Sequence, residues 1–213
     1  LPEGEEARLE AIDDRYSRIY LAIDGVLSAV LCIFDPVRKE AVQVIDALRK
    51  LGLTTICMMT GDSERTAASV AAQLGLDHYQ AEVLPEDKVN YVKEQRAAGH
   101  KVIMIGDGIN DSPALSEADV GVAIGSGAAI TREIADITIS ADDLMELVVL
   151  RRLSRALMQR IHNDYRFIVG FNSMLIGLGV AGVIAPSSSA ILHNSSTMVV
   201  GVKSMTNLLQ ETE

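Results

Sequence analysis

Residues 101–115 read Lys-Val-Ile-Met-Ile-Gly-Asp-Gly-Ile-Asn-Asp-Ser-Pro-Ala-Leu. The first five have the length and apolarity of a buried strand. The strand then runs straight into Gly106-Asp107-Gly108-Ile109-Asn110-Asp111, glycines and polar groups where a sheet would meet solvent. In open parallel sheets ligands bind beyond the carboxyl ends of the strands. Asp107 and Asp111 lie four residues apart with Asn110 between them, and the glycines let backbone approach closely. That set suits a hard, oxygen-liganded cation such as Mg2+.

The flanks repeat one alternation. Residues 37–51 carry apolar positions at helical spacing and stop at Gly52, and residues 53–59 (LTTICMM) have buried-strand length. Helices are expected over 67–74, stopped by Gly75, and from Pro85 to residue 98, stopped by Gly99. Short strands follow at 120–124 and 136–139. Strands alternating with helices of this length predict an α/β fold, a Rossmann-like parallel sheet with helices on both faces.

Two further features fall at the same predicted sheet edge. The strand ending at Met59 runs into Thr60-Gly61-Asp62 and a helix start at Ser63-Glu64, where a hydroxyl, a flexible glycine and a helix N-terminus together suit an anion such as a phosphoryl group. Thr-Gly-Asp is also a common turn. Lys88, in Pro85-Glu86-Asp87-Lys88, stands near a helix start, where a cation is electrostatically disfavoured. Either another group accounts for it or it is a solvated lysine. A hydroxyl, a lysine and an Asp cluster on one edge are the parts that phosphoryl transfer needs.

Before Asp35 the pattern changes. Strand-like runs 18–23 and 28–34 flank Asp24-Gly25, a hairpin signal, and predict an antiparallel pair of another domain. Asp24 faintly echoes a phosphotransferase nucleophile, but a phosphatase would want a second carboxylate two residues later, where Val26 stands. Cys32 and Cys57 lie in apolar runs and read as small buried hydrophobes.

The chain has 213 residues, with 19 Lys+Arg against 29 Asp+Glu and a formal net charge of -10. This balance argues against nucleic-acid binding, which rests on cations neutralising phosphates. Two cysteines cannot build a disulfide framework. The mean hydropathy of +0.22 comes chiefly from sequence beyond Arg166. Residues 167–185 carry no charge and suffice for a membrane helix, while a second apolar segment, 190–209, holds a polar block from His193 to Thr197. Residues 186–189, Pro-Ser-Ser-Ser, read as the turn between the two. Arg151, Arg152, Arg155, Arg160 and Arg166 precede the first span and place the N-terminal part in the cytosol of a multi-pass cell-membrane protein. The opening at Leu1, without Met, reads as a fragment with sequence upstream.

Thr60-Gly61-Asp62, Lys88 within Pro-Glu-Asp-Lys, and the ten residues 106–115, in that order, resemble the haloacid dehalogenase-type phosphorylation domain of P-type cation-transporting ATPases. Asp35-Pro36 with Arg38 is similar to the point where the chain re-enters that domain, and the two apolar segments are similar to the last membrane pair of the transition-metal branch. The resemblance implies 1–34 as the end of a nucleotide-binding domain, 35–145 as the phosphorylation domain, and 146–213 as a juxtamembrane helix with two spans. It implies Mg2+ and ATP as cofactors. Thr60 and Gly61 would hold the phosphoryl group with Asp62 beside them, and Lys88 would neutralise it. Asp107, with Asp111, would hold Mg2+, and Asn110 and Asp111 would orient and close the site. The Asp-Lys-Thr-Gly-Thr run of the phosphorylated aspartate does not occur in these residues, nor do the family's adenine-binding, Thr-Gly-Glu and Cys-Pro-Cys motifs. The pump cycle therefore requires an N-terminal part of the same pump.

Polar groups within spans are costly and usually face an interior path, which makes Asn172, His193, Asn194, Ser195 and Ser196 candidates for the transported cation. Copper pumps of the branch resemble Tyr-Asn and Met-x-x-Ser-Ser at these places. Here Phe171-Asn172 and Leu192-His193-Asn194-Ser195-Ser196 match only half of each. His193 with oxygen groups suits Zn2+, Mn2+ or Co2+ better than a soft Cu(I) site. The alternative is that the hydroxyls merely bond backbone and His193 sits at an interface. Lys203 is expected to snorkel or to pair with a carboxylate. A membrane-anchored binder of Mg2+ and phosphate, without turnover, is the reading from another class.

Overall fold

The structure, a computed structural model, describes residues 12, 16–34, 36–106, 109–125, 134–139 and 143–209. These fall into two compact units divided between Val148 and Val149.

The first unit opens with the hairpin β1 (Tyr16–Ile23) and β2 (Val26–Phe34), antiparallel in a register that pairs Tyr16 with Phe34 and Ile23 with Val26. Asp24 and Gly25 close it with φ of 51° and 78°. Positive φ at both central positions gives the turn twist that matches right-handed strands, and Asp-Gly supplies it cheaply. Ile19, Leu21, Leu31 and Ile33 remain about half exposed. Cys32 is exposed on this ladder and Cys57 half-buried, a correction to the expectation that both are buried. Among the described residues the ladder has two strands and offers no layer for Cys32 of β2 to sink into.

The α/β part follows as α1 (Ala41–Lys50), β3 (Cys57–Met59), α2 (Glu64–Leu74), β4 (His78–Gln80), α3 (Pro85–Ala97), β5 (Ile103–Gly106), a 3-10 turn (Ile109–Asp111), α4 (Ser112–Glu117), β6 (Val120–Ile124) and β7 (Ile137–Ile139). Every ladder here is parallel: β3 with β4, and β5–β6–β7. Gly52, Gly75 and Gly99 stop their helices as expected. Strand β3 is shorter than the apolar run 53–59 suggested, and β4 carries no apolar run that would announce it.

Val44 and Leu48 from α1, Val122 from β6, Ile139 from β7, and Leu147 and Val148 from the first turn of α5 (Met145–Val180) form the main core. Gly121, Val122 and Ala123 are buried in succession, as a strand covered on both faces requires. An added Cβ at Gly121 would lie 2.7 Å from the Leu115 carbonyl oxygen, so β6 passes α4 at backbone distance.

In the second unit α5 stops at Val180. Gly182, at φ 72°, ends it with Val183 N–H donating to Leu178 O (2.9 Å) and Gly182 N–H to Gly179 O (3.1 Å). This six-to-one plus five-to-two closure is the Schellman geometry, which favours glycine. Helix α6 (Pro186–Ser204) then begins with Pro186 in its first turn and Ser189 N–H on Ala185 O (3.0 Å). Residues 186–189 are thus the start of a helix and not the turn. Proline suits this position because a first-turn N–H has no helical partner. The reversal lies at 181–185 and interrupts the apolar run 167–185. Its helical part, 167–180, would reach only ~21 Å at 1.5 Å per residue, short of a ~30 Å hydrocarbon core. No helix among the described residues is long and apolar enough to cross a membrane.

Candidate active site

The loop after β3 is laced to the loop before α3. Thr60 N–H donates to Gln80 O (3.0 Å), Val83 N–H to Thr60 O (3.1 Å), and Glu82 N–H to Asp62 O (2.9 Å). The Thr60 hydroxyl donates to Asp62 Oδ2 (2.7 Å) and accepts from the Asp62 N–H (3.1 Å). Asp62 therefore holds the rotor of the hydroxyl expected to meet a phosphoryl group. Ser63 caps α2, its Oγ accepting from Thr66 N–H at 3.4 Å. A Cβ added to Gly61 would meet only Val83 O, at 3.8 Å, so space does not demand glycine there. Glu82 has a φ of 53°, a left-handed backbone unusual for a glutamate. Such residues persist where surrounding bonds over-determine them.

Helix α3 carries the lysine. Asp87 Oδ2 accepts from Leu84 N–H (2.8 Å) and satisfies the helix start, and Lys88 Nζ donates to Asp111 Oδ1 (2.7 Å). The two side chains are 17% and 12% exposed, so the pair is sheltered but open on one side. This carboxylate is the group that offsets the unfavourable helix-start position of Lys88. One turn further along α3 stands Tyr91, with Cys57 of β3 and Glu94 as its electrostatic neighbours. Burial first, then the neighbouring Cys57 thiol and Glu94, push its phenol up to about 12. Asn110 is exposed on the 3-10 turn, while Asp107 and Gly108 lie outside the described residues.

Sequence reading missed two partners of this site. Gly106 lies beneath Asp111, and the Ser112 hydroxyl is buried with no hydrogen-bond partner among the described residues. Both stand in the motif 106–115, but the part each plays depends on which atoms the 3-10 turn brings together. Asp24, the alternative nucleophile, sits at the tip of the antiparallel hairpin and not at a parallel-sheet edge.

Between α5 and α6, Asn172 Oδ1 and His193 Nδ1 are 2.8 Å apart. With Nδ1–H donating, Nε2 is the nitrogen left for a cation. Ser196 and Thr197 donate back to His193 O (2.7 and 3.1 Å). Asn194 and Ser195 are exposed and are not brought to this pair. Lys203 Nζ donates to Asp164 Oδ1 (2.5 Å), and Arg160 donates to the carbonyls of Thr206 (2.7 Å) and Asn207 (3.0 Å), just past the end of α6. Among the described residues no three His, Cys, Asp or Glu side chains converge as a metal cluster.

The haloacid dehalogenase-like hydrolase family model matches residues 3–119, more than half of the chain. The chain belongs to that family. Its homologues are heavy-metal P-type ATPases. It is 38% identical over 183 residues to a manganese-exporting P-type ATPase of Mycobacterium leprae, covering 85% of this chain and 25% of that one. It is 44% identical over 176 residues to copper-transporting ATPase 1 of Rhizobium meliloti, covering 83% and 21%. The crystal structure of a zinc-transporting PIB-type ATPase in its E2·Pi state superposes with a TM-score of 0.79 at 28% identity, covering 97% of this chain and 33% of that one. The chain thus spans about a quarter of the length of these curated relatives.

Proposed function

We propose that this haloacid dehalogenase-like chain is the phosphoryl-handling and terminal-helix portion of a P-type ATPase that moves a transition-metal cation across a membrane through an aspartyl-phosphate. The observation that carries the reading is the sheltered Lys88–Asp111 pair, held by α3 beside the Thr60–Asp62 loop. A lysine kept at a helix start, against the dipole and held by a sheltered carboxylate, supports a charge-neutralising role there.

The donor set fits the cofactors the family implies. Asp111, with Asp107, offers hard oxygen ligands for Mg2+, and Lys88 and Thr60 offer donors for a phosphoryl group. Bound Mg2+ would supply neutralising charge to the phosphoryl oxygens of ATP. Within this chain, Asp62 holds the Thr60 hydroxyl in the loop until a phosphoryl oxygen competes for it. Asp111 fixes the position of the Lys88 ammonium.

For the cargo, Asn172 orients His193 so that Nε2 is free, a nitrogen-plus-oxygen setting that favours Zn2+, Mn2+ or Co2+ over Cu(I). Relatives are named for manganese, zinc and copper alike, so the choice rests on this donor pair alone. The division into a nucleotide-domain end (1–34), a phosphorylation domain (35–145) and a membrane portion (146–213) belongs to the same proposal. So do a cytosolic location for the first unit and membrane insertion of the α5–α6 pair, in contact with lipid.

The test uses the pump containing this chain, in membrane vesicles. Labelled ATP should give an acid-stable, hydroxylamine-sensitive phosphoenzyme whose level depends on the added transition metal. Loss of metal dependence would remove the transport reading, and unchanged labelling in Lys88→Ala would remove the phosphoryl-site reading.

A further inference from the structure

Gly106 ends β5 as a buried residue, and an L-side chain there is not forbidden by its backbone, since it is absent from the positive-φ residues. What forbids one is Asp111. A Cβ built on Gly106 would lie 2.6 Å from Asp111 Cβ, 2.8 Å from Asp111 Oδ2 and 2.9 Å from Asp111 Cγ. All three contacts come from one side chain, and real Cβ atoms essentially never approach so closely. Asp111 cannot swing away freely, because its other oxygen, Oδ1, holds Lys88 Nζ at 2.7 Å. The carboxylate is thus clamped between a bare Cα and an ammonium group.

We propose that Gly106 is a positioning residue whose missing side chain forms the seat of Asp111 and, through Asp111, sets where the Lys88 ammonium stands. The proposal rests on the reading of Lys88–Asp111 as phosphoryl-handling groups only for its functional consequence, since the seat itself is a matter of geometry. Gly121 provides an internal control. A Cβ there would strike Leu115 about as hard, at 2.7 Å from its backbone oxygen, and its three nearest atoms all belong to Leu115.

Two measurements on the chain test it. The first is the rate at which Lys88 is acylated by an amine reagent, read by mass spectrometry on folded protein. Gly106→Ala should raise that rate at least several-fold by freeing the ammonium, while Gly121→Ala, though destabilising, should leave it near the parent value. An unchanged Lys88 rate in folded Gly106→Ala overturns the seat. The second is a double-mutant cycle, which stays informative where Gly106→Ala alone does not fold. In an Asp111→Gly background the opposing side chain is gone, so adding Gly106→Ala should cost less than half the Tm loss it causes in the parent, or should fold where the single variant does not. An equal loss in both backgrounds, or a double variant as unfolded as the single one, overturns it. Both readouts are independent of phosphorylation. A pump with normal phosphoenzyme in Lys88→Ala would sink the functional reading and leave the seat standing.

Discussion

The molecule contains two Lys–Asp ion pairs with the same carboxylate exposure, 12%, and they sit in different regions: Lys88–Asp111 in the α/β part and Lys203–Asp164 between α5 and α6. Lys203 occupies the last turn of α6, where the helix dipole favours a cation. Its neighbour Arg160 binds the carbonyls that follow the same helix. Local electrostatics and the tertiary contact agree there, as they do in parts of a protein that only need to hold shape. Lys88 stands in the first turns of α3 against the dipole, its partner comes from a 3-10 turn 23 residues away, and glycine must be spent beneath that partner. Disagreement between local preference and final position sets the proposed phosphoryl-handling pair apart from the other.

The largest expected effect separates the two pairs. Lys88→Ala in the complete pump should lower phosphoenzyme formation by on the order of 10² or more, the scale of removing one transition-state donor. Lys203→Ala should leave phosphoenzyme formation within a factor of a few, measured by acid-quenched labelling.

Stability should rank the pairs differently. Lys203→Ala strands a buried carboxylate and should cost about 2 kcal/mol, below the ~3–5 kcal/mol of a fully buried pair because the lysine was half exposed. Replacing both members, Lys203→Met with Asp164→Leu, should return stability to near the parent value. The equivalent double change at Lys88 and Asp111 should also keep the fold, yet it should abolish phosphorylation. Denaturant melts beside labelling assays would show whether fold and chemistry separate in this way.

A smaller effect is expected at Asn172. Without its oxygen His193 loses orientation, and Asn172→Ala should weaken transition-metal affinity about tenfold, the low end for removing a group that orients a metal-binding histidine. Metal-dependent ATPase titrations would read it. The smallest effect concerns pH. The Tyr91 phenol is raised in the folded state, so its neutral form is favoured. The stabilisation is complete below the ordinary phenol range near pH 10 and is lost as pH rises through about 12. Tyr91→Phe should flatten that alkaline slope in thermal melts. Asp119 works at the other end. Its carboxyl is lowered mainly by the hydrogen bond from Lys101, with the Val102 N–H second, so its stabilisation is lost as pH falls through the folded pKa, below the ordinary carboxylate range.

Sequence alone shows those features whose causes are local. Asp24-Gly25 announces its turn, and Gly52, Gly75 and Gly99 stop their helices. Lys88 was legible as an anomaly because a lysine at a helix start needs a reason. What stayed hidden is relational. His78–Gln80 becomes a strand only because β3 pairs with it, and Glu82 takes a left-handed backbone only because Asp62 accepts its N–H. The turn at 186–189 was misplaced for a different reason: Pro-Ser-Ser-Ser is turn-like in composition, while the operative signals were Gly182 closing one helix and Pro186 opening the next.

The brief reversal between Val180 and Pro186 constrains everything on either side of it. Each residue of an α-helix advances 1.5 Å and turns ~100°, so adding or removing one residue among 181–185, if α6 shifted to absorb it, would rotate that helix by more than a quarter turn. His193 would leave Asn172, Lys203 would leave Asp164, and the end of α6 would leave Arg160, all in one step. The length of this connection is therefore under the same constraint as the contacting side chains, although none of its residues takes part in those contacts. Homologous chains should tolerate substitutions here far more readily than insertions or deletions.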